Sequence, residues 1–195
     1  MATVNDNFTG DNAASLGANW TQIDNGWIRE SGVARCATAL EACEHWNASV
    51  NDIGDDQYSQ AVVVNNGGDY LGVAVRMKAS SGAGDCYIFY WNSAGGYLSS
   101  QVNGTRTNHQ TALTVPTTGQ EAKIEIIGTT VKAYINDVQV GSDLDVSGIG
   151  LVGGQPGLFG YGLVNDGTLD DFEGGDSSTP PSGGGGAHLA LLGVG

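Results

Sequence analysis

Apolar and polar side chains alternate through the middle of this chain. In residues 69–79, DYLGVAVRMKA, Leu71, Val73, Val75 and Met77 alternate with Tyr70, Gly72, Ala74, Arg76 and Lys78. A period of two puts one set in a core and the other on an open face of a strand. Residues 58–65 (YSQAVVVN) and 84–92 (GDCYIFYWN) read as flanking strands, set off by the turn compositions NNGG and SSGAG. Residues 121–127 (EAKIEII) and 131–135 (VKAYI) follow the same rule, joined by Gly128-Thr129-Thr130. Asn136-Asp137 then predicts a tight hairpin into VQVG, because both residues tolerate positive φ. Residues 157–164 (GLFGYGLV) and 168–173 (TLDDFE) close the pattern. Helical periodicity is weak throughout. SGVARCATALEACEHW comes nearest, through Val33, Ala37, Leu40 and Ala42, and has room for a short helical turn. Many short strands between Gly, Asp and Asn turns predict an all-β protein, a two-sheet antiparallel sandwich or jelly roll.

Composition narrows the picture. A chain of 195 residues and 20.0 kDa hides about 70% of its surface on folding, enough for one core. One domain with an appendage is expected. The acids are 15 Asp and 6 Glu, and Asp favours turns over helix interiors. A net charge of −14 argues against nucleic acid, whose phosphates need clustered Lys and Arg, and against anionic membranes. No apolar run approaches the ~18 residues of a membrane span. MATVNDNFTG lacks the basic and apolar regions of a signal peptide, so synthesis in a cytoplasm is expected. Cys36, Cys43 and Cys86 leave at least one free thiol. A Cys36–Cys43 bridge across a hairpin is left open by the spacing.

A set of motifs carries a family resemblance. The opening D-N-F-x-x-x-x-x-x-x-L-G-x-x-W uses Asp6, Phe8, Leu16, Gly17 and Trp20, with a second tryptophan at Trp27. D-Q-Y-x-Q (56–60), G-D-Y-x-G-V-x-V-R (68–76), Y-x-F-Y-W-N (87–92), V-x-A-Y-I-N-D (131–137) and a closing D-D-F (170–172) follow in order. Together they resemble the concanavalin-A-like lectin/glucanase jelly roll, of the laminin-G-like sort found in bacteriophage tail and virion proteins. The resemblance spans about residues 4–175. It implies paired N- and C-terminal strands, with DNF beside DDF. It also implies a candidate structural Ca²⁺ site there, with Asp6, Asp170 and Asp171 as donors. Asp52, Asp55 and Asp56 form a second acidic group.

Glucanases of this fold carry E-x-D-x-x-E on one strand, and this chain has no such run. Glu125 stands alone on its strand, and Glu41 and Glu44 flank Cys43 without the needed alternation. No serine or cysteine matches a histidine and an acid by motif. A non-enzymatic role is therefore expected. Lectins stack sugar faces on aromatic rings and fix hydroxyls with polar side chains. The candidate carbohydrate-binding residues are Tyr70, Arg76, Tyr87, Phe89, Trp91 and Tyr97, with Trp46, Asn47 and Arg106 as further candidates. Trp20 and Trp27 are assigned to the core.

From residue 176 the composition changes. A Gly/Ser/Pro linker to residue 186 precedes the apolar AHLALLGVG at 187–195. Leu189, Leu191, Leu192 and Val194 are the candidate assembly contact, by strand addition or insertion of leucines into a partner. The expectation is a virion-surface protein whose jelly roll faces outward and whose tail anchors it to other virion proteins or to copies of itself. A host-surface glycan is the candidate ligand. The alternatives are a free carbohydrate-binding module and a diverged glycoside hydrolase.

Overall fold

A computed structural model describes residues 2–37, 40–49, 52–67, 70–80, 84–161 and 167–177. The linker beyond residue 177 and the candidate contact Leu189, Leu191, Leu192 and Val194 lie outside the described residues. The described residues form fifteen strands: β1 (Thr3–Asp6), β2 (Trp20–Asp24), β3 (Trp27–Glu30), β4 (Val33–Cys36), β5 (Glu41–Trp46), β6 (Gln57–Asn66), β7 (Tyr70–Ala79), β8 (Gly84–Asn92), β9 (Gly95–Val102), β10 (Thr105–Leu113), β11 (Glu121–Ile127), β12 (Thr130–Ile135), β13 (Val138–Asp145), β14 (Gln155–Tyr161) and β15 (Gly167–Asp176). No helix occurs among the described residues. The segment with room for a helical turn, 31–46, instead forms strands β4 and β5. Its weak 3.6-residue stripe loses to pairing: β4 joins β15 and β5 joins β14, burying Ala34, Ala42 and Trp46.

The strands make two antiparallel sheets. One has eight strands in the order β13-β12-β11-β6-β15-β4-β3, with β1 also on β15; the other has seven, β10-β9-β8-β7-β14-β5-β2. Alternation decides which side each residue takes. In β11, Ala122, Ile124 and Ile126 point inward and Glu121, Lys123 and Glu125 outward. The core between the sheets holds Trp27, Val73, Val75, Phe89, Trp91, Ile124, Val131 and Leu158, all fully buried. At ~1.5–3 kcal/mol per large side chain, this burial is the main drive for sandwich formation.

The termini meet as the motif order implied. Asp6 of β1 pairs with Phe172 of β15. Trp20 donates from Nε1 to Asp6 at 2.9 Å, and its ring meets Phe172 edge-on at 4.6 Å between centroids. Asp176 ties the same end, accepting from Ala2 N at 2.7 Å and Gly54 N at 2.7 Å. At the opposite margin, Gln110 of β10 imitates a strand: its amide donates to Ser142 O at 2.7 Å and accepts from Ser142 N at 3.0 Å, joining the two sheets. The β12–β13 turn has both Asn136 and Asp137 at positive φ, 48° and 61°, as a two-residue hairpin requires.

Candidate functional site

The outer face of the seven-stranded sheet carries a second, smaller apolar layer. Cys43, Ala74, Met77, Cys86, Ile88, Tyr90 and Phe159 form it, with Ile23, Tyr70 and Tyr97 packed at its margin. Register explains its composition. Phe159 of β14 lies opposite Gly72 of β7, and Tyr161 opposite Tyr70. Tyr90 of β8 pairs with Gly72 on one side and with Tyr97 of β9 on the other. Gly72 has no room for a Cβ, which would sit 2.7 Å from that of Tyr90. A glycine there lets the aromatic side chains of neighbouring strands close over the sheet.

The rings touch one another in a continuous cluster. Tyr90 and Tyr97 stack at 4.9 Å with planes 16° apart. Tyr70 meets Tyr90 at 5.7 Å and Tyr161 at 5.8 Å, both tilted, and Phe159 meets Tyr90 at 5.5 Å. Arg106 of β10 lies over them, its Cζ 5.0 Å from the Tyr90 centroid, 5.2 Å from Phe159 and 5.8 Å from Tyr161. Such cation–π contacts contribute about 0.5–2 kcal/mol each. Arg106 Nη1 also faces Glu41 Oε2 at 3.4 Å. Gln101 donates from Nε2 to the other Glu41 oxygen and to Gly84 O at 3.1 Å. Asn108 Oδ1 accepts from Tyr90 OH and Ser99 Oγ, each at 2.8 Å. Burial pushes the Tyr90 phenol above its usual range, so it stays a neutral donor. Tyr90 is buried, Tyr70 and Tyr97 are half-buried, and Tyr161 is exposed.

The chain is similar to several solved structures of low sequence identity. A carbohydrate-binding module CBM66 from Bacillus subtilis aligns with a TM-score of 0.58 at 17% identity, over 78% of this chain and 91% of that one. An apo Crh5 transglycosylase gives 0.56 at 11%, over 92% and 86%. A Bacillus licheniformis β-glucanase gives 0.53 at 12%, over 91% and 99%. The fold is a concanavalin-A-like jelly roll. No protein-family model matches the chain, and no curated protein matches its sequence.

Within this jelly roll the candidate binding residues separate. Tyr70 and Tyr97 stand on the outer aromatic face, together with Arg106. Tyr87, Phe89 and Trp91 do not; all three are fully buried between the sheets. Register is the cause. Leu71, Val73 and Val75 of β7 lie opposite Trp91, Phe89 and Tyr87 of β8, and partners opposite one another share a face. The open side of β8 is instead Ile88 and Tyr90. Arg76 is also displaced from the face. It sits in a β-bulge between Val75 and Lys78, at φ 51° and 5% exposed. Its guanidinium donates to the carbonyls of Asp55 (2.9 Å), Leu151 (2.8 Å) and Gly128 (2.8 Å), clamping three loops. Gly154, at φ 94°, lets its backbone pass against Arg76, where a Cβ would lie 2.6 Å from the carbonyl carbon. Trp46 packs parallel to Phe172 in the core, and Asn47 caps a turn by accepting from Ser49 N at 3.0 Å.

The acidic groups are likewise committed elsewhere. Among the described residues, no three His, Cys, Asp or Glu side chains converge as metal donors. Asp6, Asp170 and Asp171 form no such group, although burial, with Asp171 and Asp6 nearby, raises the Asp170 carboxyl. Asp6 already accepts from Phe8 N (2.8 Å) and Trp20 Nε1 (2.9 Å), and Asp170 from Asp171 N (2.8 Å). Asp52, Asp55 and Asp56 accept from Gln155, Gly153 and Gly128 and fix the loops around Arg76. Cys43 is a free thiol, so the Cys36–Cys43 bridge is not formed. Cys36 packs against the inter-sheet core and Cys43 lies in the outer aromatic layer, on the far side of the other sheet. Burial, with Glu41 nearby, pushes the Cys43 thiol well up. Ser100 Oγ lies 2.8 Å from His109 Nε2, but Ser100 pairs with Tyr87 on the inner side and is 4% exposed.

Tyr90, Tyr161 and Phe159 were missed from the sequence. For Phe159 and Tyr161 the signal was present in GLFGYG, where glycines flank the bulky residues. That pattern marks close strand packing beneath an aromatic face.

Proposed function

We propose that this jelly roll is a non-catalytic glycan-binding protein that takes saccharide on the outer face of the seven-stranded sheet. The contiguous surface of Tyr70, Tyr90, Tyr97 and Tyr161 under Arg106 carries this reading. Tyrosine rings offer flat apolar faces to sugar C–H groups, while Arg106, Glu41 and Asn108 supply donors and acceptors for hydroxyls. The similarity in fold to a carbohydrate-binding module supports the same class of ligand.

The placement of the carboxylates supports the non-catalytic reading. Glycoside hydrolysis by the common route uses two carboxyl groups about 5–9.5 Å apart across the bond. Among the described residues, β7, β8, β9 and β14 present no carboxylate on this face. Glu41, at its side, is already paired with Arg106 and Gln101. Titration calorimetry with a panel of oligosaccharides tests the reading. A bound sugar should lose about tenfold in affinity with Tyr97→Ala and with Arg106→Ala, with no reducing ends released. Sugar release abolished by Glu41→Gln would overturn it.

The setting we favour is the surface of a bacteriophage particle, with the apolar residues 187–195 as anchor. The resemblance of the motifs to virion proteins and the composition of that segment support this setting. A chain ending at Gly186, or carrying Leu191→Asp, should fold but fail to join the particle. Assembly equal to that of the full chain would move the contact onto the sandwich.

A further inference from the structure

The outer side of the eight-stranded sheet contains a cavity that the aromatic face does not use. It measures about 790 Å³ and lies between the segment Leu16–Asn19 and strands β1, β6, β11 and β15. That volume is within the ~300–1,000 Å³ of small-molecule sites. Its floor is formed by the buried Leu16 and Phe172. Its walls are polar, and they mix donors with acceptors. Asn5, Asn7, Asn19 and Gln60 bring four carboxamides and Arg29 a guanidinium. Asp6, Asp171, Glu121 and Glu173 bring carboxylates.

These groups are held in place from behind. Gln60 Nε2 donates to Glu121 at 2.9 Å, Tyr58 OH donates to Glu173, and Arg29 Nε donates to Asp11 O at 3.0 Å. Burial and the neighbouring acids raise the Glu121 carboxyl above its ordinary value. Beside the cavity, β15 shifts register against β6 between Asp170 and Glu173, with Asp171 at φ 46°. Preorganised polar side chains around a roomy cavity suit a ligand rich in hydroxyls, each of which both donates and accepts. Four carboxylates against one arginine exclude an anionic ligand. Among the described residues, no three of the side chains His, Cys, Asp or Glu are grouped so as to hold a metal ion.

We propose that this cavity is a second saccharide site, specific for neutral sugars, so that one chain engages glycan on both outer faces. It stands independently of the aromatic face. The test is amide NMR of the full chain titrated with neutral gluco-, galacto- and N-acetylglucosamine oligosaccharides, and with oligogalacturonate as the anionic control. A neutral sugar should shift the amides of Gly17, Ala18, Asn19 and Glu173. The double variant Gln60→Ala/Asn19→Ala should weaken that binding at least tenfold, while Tyr97→Ala/Arg106→Ala leaves it unchanged. Oligogalacturonate should leave these amides unmoved. The proposal fails if no neutral sugar shifts them at millimolar concentration, if the shifts survive the double variant, or if only the anionic sugar produces them. Loss of the shifts in the Tyr97/Arg106 variant alone would assign all binding to the aromatic face.

Discussion

The two outer faces of the sandwich solve the same problem with opposite chemistry. The seven-stranded sheet covers itself with rings and thiols, so Ile88, Cys86 and Phe159 are fully buried although they lie outside the main core. The eight-stranded sheet covers itself with charge. There Lys123 lies 4.8 Å from the Tyr58 ring, Tyr134 OH donates to Glu125 at 3.1 Å, and Ser177 Oγ donates to the same carboxyl at 2.8 Å. Burial, with Glu125 beside it, lifts the Tyr134 phenol to about 12. A polar outer face is the ordinary condition of an antiparallel sheet exposed on one side. A second apolar layer is not, and the proposed saccharide site rests on that difference.

Substitutions can break that contrast, the largest effect coming from beneath the aromatic face. Trp91→Ala removes a fully buried ring between the sheets and should cost about 3–5 kcal/mol of stability in urea unfolding. A loss below about 1 kcal/mol would return Trp91 to the surface.

Next in size is the buried Glu44, which points from β5 into the sandwich and accepts from Trp27 N at 2.9 Å. Burial lifts its carboxyl from 4.5 to about 7. A carboxyl whose folded value is raised contributes its stability below the unfolded value and loses it as pH rises through the folded one. Between pH 4.5 and 7 this group alone should cost the fold about 3 kcal/mol. Glu44→Gln should therefore gain on the wild type as pH increases, most of it by about pH 7.5. Parallel stability curves for the two proteins would contradict this. Asp176 acts with the opposite sign. Its hydrogen bonds to Ala2 N and Gly54 N lower its carboxyl, so its contribution is lost as pH falls through that lowered value. Asp176→Asn should matter at neutral pH and not in strong acid, as thermal melts at the two pH values would report.

On the charged face, Tyr58→Phe removes the hydroxyl that donates to Glu173 and should cost about 1 kcal/mol. Glycan binding at the aromatic face should be untouched, as measured by calorimetry.

Much of the fold was legible in the alternation of residues. Leu71, Val73 and Val75, Ile124 and Ile126, and the Asn136-Asp137 hairpin lie where their pattern places them. The side of β8 was not legible. Tyr87, Phe89 and Trp91 are as bulky as Ile88 and Tyr90, so alternation defines two sets without saying which is inside. Only the register with β7 decides it. Arg76 was out of reach for a related reason. A bulge shifts the phase by one residue, and no local composition announces it. Strands β4 and β5 were obscured because alanines and cysteines fit helix and strand periods alike. Tyr161 and Arg106, far apart in sequence, meet although three strands separate β14 from β10 in the sheet.

The account rests on the outer face of the seven-stranded sheet as a glycan platform, and one comparison tests it most directly. Tyr97→Ala and Trp91→Ala should be measured side by side, by calorimetric titration with a bound oligosaccharide and by urea unfolding. The account predicts that Tyr97→Ala weakens binding about tenfold with less than ~1 kcal/mol lost in stability, while Trp91→Ala loses mainly stability. Undiminished affinity in Tyr97→Ala, with the sugar still bound, would contradict it.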